Sequence, residues 1–268
     1  MTQGLKKIIF DKMHGLGNDF IIFEITDPSL IPTTAQFKKL SNRHTGIGFD
    51  QALVISPTRN DEAIAFYRIF NADGSEVEQC GNGARCVAQW LRLKGRAKLS
   101  TPLKLECMSG YVTAVFGAYN QVSIDMGVPH VVADLTVADQ SIDYTAVSIG
   151  NPHIVIFVPS VEQAPVSTLG ATLESHTDFP NRVNVGFLEV VDSKHGRLRV
   201  FERGVGETLA CGTGACAAMA AGFQAGHFGP EVILTLPGGA LTLKWQGGTQ
   251  HLWMSGPAEL AYQGEVTI

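Results

Sequence analysis

Two segments of the sequence, 131 positions apart, are similar enough to indicate an internal duplication. The segments 68–84 and 199–215 agree at seven of seventeen positions without a gap, and both contain Cys-Gly-x-Gly-Ala, starting at Cys80 and Cys211. A second echo, Gly17-Asn18 against Gly150-Asn151, occurs at nearly the same offset. Because a duplicated chain folds into similar units, we expect two similar domains that face each other, with Cys80 and Cys211 at equivalent, mutually opposed positions.

The dominant secondary-structure pattern is a series of short strands rich in β-branched and aromatic residues. Three helices are predicted, from Thr33 or Thr34 to Arg43, from Glu78 to about Lys94, and from Thr213 to Ala225. Many strands with few helices favour an α+β protein with antiparallel or mixed sheets. The predicted strands are 20–25, 64–70, 111–116, 121–126, 153–158, 183–190 and a hairpin of 231–236 with 240–245 around Pro237-Gly238-Gly239.

Each of the two repeated cysteines stands where a strand and turn end and a helix begins. Glycines in the first helical turn let a ligand approach the backbone, and the helix N-terminus offers N–H groups to an anion. The same partial positive charge favours a thiolate, so we expect the pKa of both thiols to fall below the free value of about 8.5.

Composition and charge exclude several functional classes. The 268 residues carry a formal net charge of −5, which gives no basic surface for nucleic acid. No stretch resembles a membrane span or a secretory signal, so we expect a cytoplasmic protein without a membrane partner. Five cysteines, an odd number, do not indicate a disulfide framework.

The sequence lacks the motifs of several reactions that two equivalent thiols could carry out, and these reactions are therefore excluded. Cys80–Cys86 and Cys211–Cys216 do not have the spacing of zinc ligands, and no Cys-x-x-Cys redox motif is present. Acyl transfer needs one nucleophile and would leave the second cysteine unexplained. The remaining chemistry is stereoinversion, in which one thiolate removes a Cα proton and the other thiol delivers a proton to the opposite face.

These features lie within a longer set of motifs. The sequence resembles the diaminopimelate epimerase family over essentially its whole length, and seven segments in order carry the resemblance. They are 13–20 (MHGLGNDF), 48–51 (GFDQ), 70–76 with 80–86 (FNADGSE and CGNGARC), 150–153 (GNPH), 179–185 (FPNRVNV), 202–216 (ERGVGETLACGTGAC) and 256–258 (GPA).

The resemblance implies a cofactor-independent epimerase that interconverts LL- and meso-2,6-diaminopimelate in lysine and peptidoglycan precursor biosynthesis, with no metal site. Cys80 and Cys211 would be the catalytic bases, and Glu202 and His153 would tune their pKa values. Tyr262 would lie at a homodimer contact. The substrate-binding residues would be Asn18, Gln51, Asn71, Gly81, Asn82, Asn151, Asn184, Glu202, Arg203, Gly212 and Thr213.

The resemblance also implies the fold, which is two pseudo-symmetric domains, each a mixed sheet or barrel curled around a central helix. The expected halves are residues 1–117 and 118–268, with a C-terminal strand at about 262–268 able to return to the first half.

Three alternative functions stay open at this point. A proline or hydroxyproline racemase belongs to the same superfamily, although Arg203, Asn151 and Asn184 as a clamp for a distal amino-carboxylate favour the longer substrate. A relative that binds or isomerises without thiol chemistry would not need both cysteines. A non-enzymatic thiol-redox protein would pair Cys80 with Cys211 as part of its function.

Overall fold

A computed structural model describes residues 7–59, 61–137 and 141–268 of the chain. Eighteen strands and four α-helices fall within these ranges, together with a short 3-10 helix at Pro28–Leu30. In chain order they are β1 (Lys7–Gly15), β2 (Asn18–Glu24), α1 (Thr34–Ser41), β3 (Gln51–Ser56), β4 (Phe66–Asn71), β5 (Glu76–Val77), α2 (Gly81–Leu93), β6 (Leu103–Cys107), β7 (Gly110–Phe116), β8 (Gln121–Asp125), β9 (His130–Val137), β10 (Ile142–Ser148), β11 (Pro152–Phe157), α3 (Val166–Glu174), β12 (Asn184–Asp192), β13 (His195–Glu202), β14 (Gly206–Thr208), α4 (Gly212–Gln224), β15 (Glu231–Leu236), β16 (Gly239–Lys244), β17 (Trp253–Pro257) and β18 (Glu259–Thr267).

The chain forms two compact units, and the first contains the described residues up to Ile124 together with Pro257–Ile268. Its strands follow the order β18-β1-β2-β3-β4-β6-β7-β8. The pairs β2–β3 and β4–β6 are parallel and the others are antiparallel, while β5 forms a short hairpin with β4. Helix α2 packs on this sheet, with eleven of its thirteen residues buried.

The second unit, Asp125–Gly256, repeats this plan. Its strands follow the order β9-β10-β11-β12-β13-β15-β16-β17, with β11–β12 and β13–β15 parallel and the others antiparallel. The short strand β14 pairs with β13, and α4 buries ten of its thirteen residues against the sheet. The predicted α+β fold with two pseudo-symmetric halves is therefore confirmed.

The three predicted helices are present with shifted ends. Thr33 caps α1 through a capping box with Gln36, as the sequence indicates, but the helix ends at Ser41. Helix α2 starts at Gly81 rather than Glu78, because Cys80 is still extended (φ −147°, ψ 114°) and acts as the N-cap. Helix α4 similarly starts one residue before the predicted Thr213, with Cys211 as its N-cap.

Helix α3 was not predicted, and its sequence explains the omission. Pro165 stands at its N-cap position without a side-chain cap hydrogen bond, and no acidic residue occupies its first turn. Within the described part of the chain no helix is long and apolar enough to cross a membrane.

Candidate active site

Cys80 lies at the N-terminus of α2 in the first unit. The backbone N–H of Gly83 donates a hydrogen bond to its sulfur at 3.4 Å, so the thiol takes the place of an oxygen cap. The thiol is half-buried. The sequence therefore folds this segment so that a sulfur, rather than a hydroxyl, faces the free end of the helix.

Asn18 and Asn82 flank the Cys80 sulfur. Asn82 Nδ2 donates to Asn18 Oδ1 at 3.2 Å, and the same oxygen lies 4.0 Å from Cys80 Sγ. Gly17, with φ of +82°, makes the turn that brings Asn18 to the start of β2. Asn18, which is 62 positions away from Cys80 in the sequence, thus meets Asn82 and the thiol at the start of α2.

Gln51 and Asn71, which were also predicted site residues, form a second pair in the first unit. The antiparallel register of β3 and β4 places them opposite each other, and Gln51 Nε2 donates to Asn71 Oδ1 at 2.9 Å. Asn71 Nδ2 in turn donates to Ser75 in the β4–β5 turn at 3.0 Å.

Cys211 repeats the arrangement of Cys80 at the N-terminus of α4. Gly214 N–H donates to its sulfur at 3.3 Å, and Thr213 Oγ1 lies 3.7 Å from the same sulfur. Unlike Cys80, this side chain is buried, with 5% exposure.

A chain of hydrogen bonds leads from Thr213 to a buried histidine. Asn151 Nδ2 donates to Thr213 Oγ1 at 3.3 Å, and Asn151 Oδ1 lies 3.0 Å from His153 Nε2. The structure thus brings together Cys211, Thr213, Asn151 and His153, and His153 meets the thiol through this chain rather than directly.

Asn184 and Arg203 are held together at the end of β13. The backbone N–H of Arg203 donates to Asn184 Oδ1 at 3.0 Å, and Asn184 Nδ2 donates to the Pro152 carbonyl at 2.9 Å. The guanidinium of Arg203 donates to the carbonyl of Asn181 at 3.1 Å. Its planar fork suits a carboxylate.

A protein-family model matches most of the chain. The family model described as diaminopimelate epimerase matches residues 10–132 and 145–261. The chain belongs to the diaminopimelate epimerase family. This is an isomerase family, and the matched ranges contain both cysteines and every predicted substrate-binding residue.

Curated relatives support the assignment to the diaminopimelate epimerase family. The diaminopimelate epimerase of Nitrosomonas europaea is 44% identical over 277 residues, covering 98% of this chain and 100% of its own. That of Ectopseudomonas mendocina is 46% identical over 273 residues, covering 97% of this chain and 99% of its own.

Solved structures of low sequence identity share the fold. A hydroxyproline epimerase from Agrobacterium vitis, described with bound trans-4-hydroxy-L-proline, has a TM-score of 0.77 at 18% identity and covers 100% of this chain and 94% of its own. A PhzF-family phenazine biosynthesis protein from Bacillus anthracis has a TM-score of 0.77 at 17% identity, covering 98% of this chain and 100% of its own.

The electrostatics of Cys211 correct one sequence-based expectation. The N–H of Gly214 and the hydroxyl of Thr213 lower the pKa of the thiol, as a helix N-terminus should. Burial, and after it the negative charge of Glu202, outweigh them and raise the pKa of Cys211 well above its ordinary value. The predicted lowering is wrong for Cys211, because it considered the helix end and not the burial.

His153 is the second group with a large shift. Burial, together with the charge of Arg203, lowers the pKa of His153 to about 3. The ring is therefore neutral near pH 7. Its Nδ1 atom is buried without a hydrogen-bond partner in the structure.

Sequence reasoning missed the charged residues that support the predicted ones. Asp50 accepts a hydrogen bond from Asn18, and Arg43 and Lys12 join the same network through Asp19. Glu174 accepts from the backbone N–H of Gly204 at 2.8 Å, next to Arg203. The position of Asp50 within the segment 48–51 was a usable signal, whereas nothing local marks Glu174. Among residues 7–59, 61–137 and 141–268, no group of three or more His, Cys, Asp and Glu side chains could hold a metal ion.

Proposed function

We propose that the chain interconverts LL-2,6-diaminopimelate and meso-2,6-diaminopimelate without a cofactor, in the synthesis of lysine and peptidoglycan precursors. The observation that carries the proposal is the repeated placement of a thiol as the N-cap of a buried helix, at Cys80 and at Cys211. The identity of the proposed substrate rests on family membership, because the curated relatives are named diaminopimelate epimerase.

In the proposed mechanism, two thiols act on opposite faces of one carbon. One cysteine, as thiolate, takes the proton from the substrate Cα, and the electron pair of the broken C–H bond stays on the substrate as a carbanion. The other cysteine, as thiol, gives its proton to the opposite face of that carbon. The first sulfur ends protonated and the second ends as thiolate, so the pair of sulfurs holds one proton before and after the reaction and two protons while the carbanion exists.

The carbanion intermediate must be stabilised by the protein. The first N–H groups of a helix have no acceptor within the helix, and Gly81 and Gly212 occupy that position in α2 and α4. We propose that these groups bind the α-carboxylate of the substrate. Each such donor contributes about 2.7–4 kcal/mol, by analogy with an oxyanion-hole donor.

The remaining predicted residues are proposed to hold the substrate. Asn18 and Asn82 would bind the substrate beside Cys80. Gln51 and Asn71 would bind it at the ends of β3 and β4. Asn151 and Thr213 would bind it beside Cys211. Arg203, positioned by Asn184, would bind the distal carboxylate. Glu202 would keep the Cys211 thiol protonated until substrate binds, and His153 would act on the same thiol through Asn151 and Thr213.

The experiment that tests the function compares two substrates in parallel. Reduced, purified protein is incubated with LL-diaminopimelate and with L-proline in deuterated water. We expect turnover of diaminopimelate alone and solvent deuterium at Cα of the inverted product. Turnover of proline alone would replace this function by the racemase, and full retention of the substrate hydrogen would overturn the two-thiol mechanism.

A cysteine outside the mechanism provides the matched control. Cys107 is buried at the end of β6 and contacts Ser109, so Cys107→Ser should keep full turnover, whereas Cys80→Ser and Cys211→Ser should lose it. Loss of activity on oxidation that reductant reverses would mark a Cys80–Cys211 disulfide as an inactive by-product. Activity that requires the disulfide would favour the redox protein instead.

We further infer a cytoplasmic homodimer. The cysteines in the described residues form no disulfide, and the mechanism requires reduced thiols, which a cytoplasm maintains. Tyr262 on β18 packs edge-on against Phe10 and is still 47% exposed. An exposed aromatic side chain on a strand suits a contact between copies. Tyr262→Glu should shift the sedimentation of the protein from dimer to monomer.

A further inference from the structure

The side-chain amide of Asn18 has one orientation because a carboxylate holds its nitrogen. Asn18 Nδ2 donates to Asp50 Oδ2 at 3.0 Å, and this leaves Oδ1 facing Asn82 Nδ2 and Cys80 Sγ. An ionised carboxylate accepts hydrogen bonds and donates none. Asp50 therefore decides which end of the amide the Cys80 sulfur meets.

Asp50 itself accepts three hydrogen bonds through its side chain. Its Oδ2 also accepts from the backbone N–H of Asp19 at 3.1 Å, and its Oδ1 accepts from Arg43 Nη2 at 2.8 Å. Three donors thus meet two oxygens. A side chain with an N–H group at position 50 would have to place that group against one of these donors.

The donors around Asp50 are anchored in turn. Arg43 forms a bidentate salt bridge with Asp19, with hydrogen bonds of 2.8 and 2.7 Å, and Lys12 Nζ donates to Asp19 Oδ2 at 2.6 Å. Although burial acts to raise the pKa of Asp19, the hydrogen bonds from Arg43 and Lys12 hold it far below its usual range. The carboxylate of Asp19 therefore stays charged and keeps the arginine in place.

We propose that Asp50 is a positioning residue for the Cys80 half of the site, acting through Asn18. It fixes the Asn18 carbonyl oxygen toward Cys80 and Asn82, so that the amide of Asn82 has an acceptor and the Cys80 sulfur faces an oxygen rather than an N–H group. In its consequence for turnover the proposal rests on the proposed epimerase function; the geometry that it describes does not.

The decisive variant is Asp50→Asn, which keeps the shape and introduces a donor. Where the new N–H group takes the place of Oδ2, it meets Asn18 Nδ2, and the Asn18 amide avoids this donor–donor contact by rotating half a turn and presenting its own N–H to Cys80. An N–H group beside a sulfur favours the thiolate, and the thiolate is the form that reacts with iodoacetamide. We expect alkylation of Cys80 to accelerate by about tenfold in Asp50→Asn, the effect of one charge-assisted hydrogen bond. Mass spectrometry would resolve each cysteine.

Turnover gives a second and independent readout. Asp50→Asn should lower kcat/KM by about tenfold, the size of one charge-assisted hydrogen bond. In an Asn18→Ala background the same change should cost less than about twofold, because the residue through which it acts is gone. Equal losses in both backgrounds would overturn the proposal.

Controls separate positioning from loosening of the fold. Glu24→Gln removes a carboxylate that pairs with Arg96 and is 43% exposed, against 44% for Asp50, and it should change neither readout. Cys86 and Cys107 are buried internal controls, and faster alkylation of all cysteines together would show unfolding and refute the proposal. Asp50→Glu keeps two acceptor oxygens and should restore slow alkylation of Cys80.

The alkylation experiment does not depend on turnover. If the protein fails to epimerise diaminopimelate but Asp50→Asn still accelerates alkylation of Cys80 alone, the proposed function fails and the positioning role stands. If turnover is present and alkylation of Cys80 is unchanged by Asp50→Asn, the positioning role fails while the function stands.

Discussion

Glu202 faces Cys211 at the start of α4, and its negative charge adds to burial in raising the pKa of that thiol well above the ordinary value. Thr208 donates a hydrogen bond to the Glu202 carboxylate from the neighbouring strand β14, which fixes the carboxylate in place. The free protein therefore holds the proton on Cys211. A proton held there is the one that the proposed mechanism must deliver to the substrate.

Replacing Glu202 by glutamine tests this relationship. Glu202→Gln keeps an acceptor for Thr208 but removes the negative charge, so we expect the pKa of Cys211 to fall, although burial still keeps it raised. Alkylation of Cys211 near pH 8 should accelerate accordingly. Glu207→Gln, which disturbs an ion pair with Arg199 on the same hairpin, is the control. An unchanged alkylation rate in Glu202→Gln would count against the electrostatic role.

The same shift has a consequence for stability. Below the unfolded pKa of about 8.5 the thiol is protonated in both states, so the contribution of Cys211 to folding is fully present. As the pH rises above this value, the unfolded chain loses a proton that the folded protein retains. The free energy of unfolding therefore decreases until the pH reaches the raised pKa of the thiol in the folded protein. Urea unfolding above pH 8.5 should therefore show a smaller alkaline loss for Glu202→Gln than for the wild type.

The cysteines serve as helix caps as well as proposed acids and bases, and two substitutions separate these roles. Cys211→Ser keeps an acceptor for Gly214 N–H, whereas Cys211→Ala removes it and should cost about 0.5–2 kcal/mol in the free energy of unfolding. Both should lower kcat by about 10²–10⁴, the usual contribution of a positioned acid–base group. Urea unfolding and a turnover assay measure the two effects. Equal stability losses in the two variants would show that the sulfur is not a cap.

Much of the site could be predicted because its chemistry is encoded locally and twice. The Cys-Gly-x-Gly-Ala segments predict a thiol at a helix start, and the repeat of 131 positions predicts two equivalent units. The bidentate pairs Arg68–Glu76 and Arg199–Glu207 show how closely the duplication is kept, since both partners are separated by the same offset.

What could not be predicted depends on contacts between distant segments. Asp50 contacts Asn18 across 32 positions, and Glu174 contacts Gly204 across 30. Neither contact could be predicted from a local pattern, although the segment 48–51 marks Asp50 itself as a residue of interest. The prediction of a lowered pKa for Cys211 was wrong for the same reason. The start of a helix can be predicted from the sequence, whereas the burial of the thiol and the proximity of Glu202 depend on the fold.

Gly214 is expected to be irreplaceable for function although it lies in a helix. A Cβ at this position would meet the Cys211 sulfur at 3.2 Å and a methyl group of Val200 at 3.0 Å. Gly214→Ala should gain up to about 1 kcal/mol in helix propensity, which offsets part of the steric cost, while the displaced sulfur lowers turnover. A variant with wild-type kcat would show that the position of the sulfur is not critical. Thermal unfolding measured beside kcat distinguishes the two effects.

His153 should make the protein sensitive to mild acid. Its pKa is lowered to about 3 by burial and by the charge of Arg203, so the unfolded chain takes up a proton from about pH 6.5 downward while the folded protein does not. Stability from this group is present above pH 6.5 and is lost as the pH falls toward 3. Between pH 7 and pH 5 the loss should be about 2 kcal/mol. Between the same two pH values, His153→Gln, which cannot titrate, should lose about 2 kcal/mol less of its free energy of unfolding, measured with urea. An equal dependence of stability on pH in the variant and the wild type would contradict a buried neutral ring.

Glu174 is expected to hold the turn that carries Arg203. The carboxylate is buried and accepts from Gly204 N–H at 2.8 Å and from Arg182 at 3.2 Å. Glu174→Ala leaves that backbone group without its acceptor, so Arg203 should lose its fixed position and KM for diaminopimelate should rise by about tenfold, with a smaller change in kcat. Glu174→Gln retains one acceptor oxygen, so its KM should lie between the values of the wild type and of Glu174→Ala. Glu162→Ala, which removes an exposed partner of Arg197 in the same unit, is the control. Because Arg203 is proposed to bind only the distal carboxylate, a fall in kcat without a rise in KM would place Glu174 in the chemistry of the reacting carbon instead.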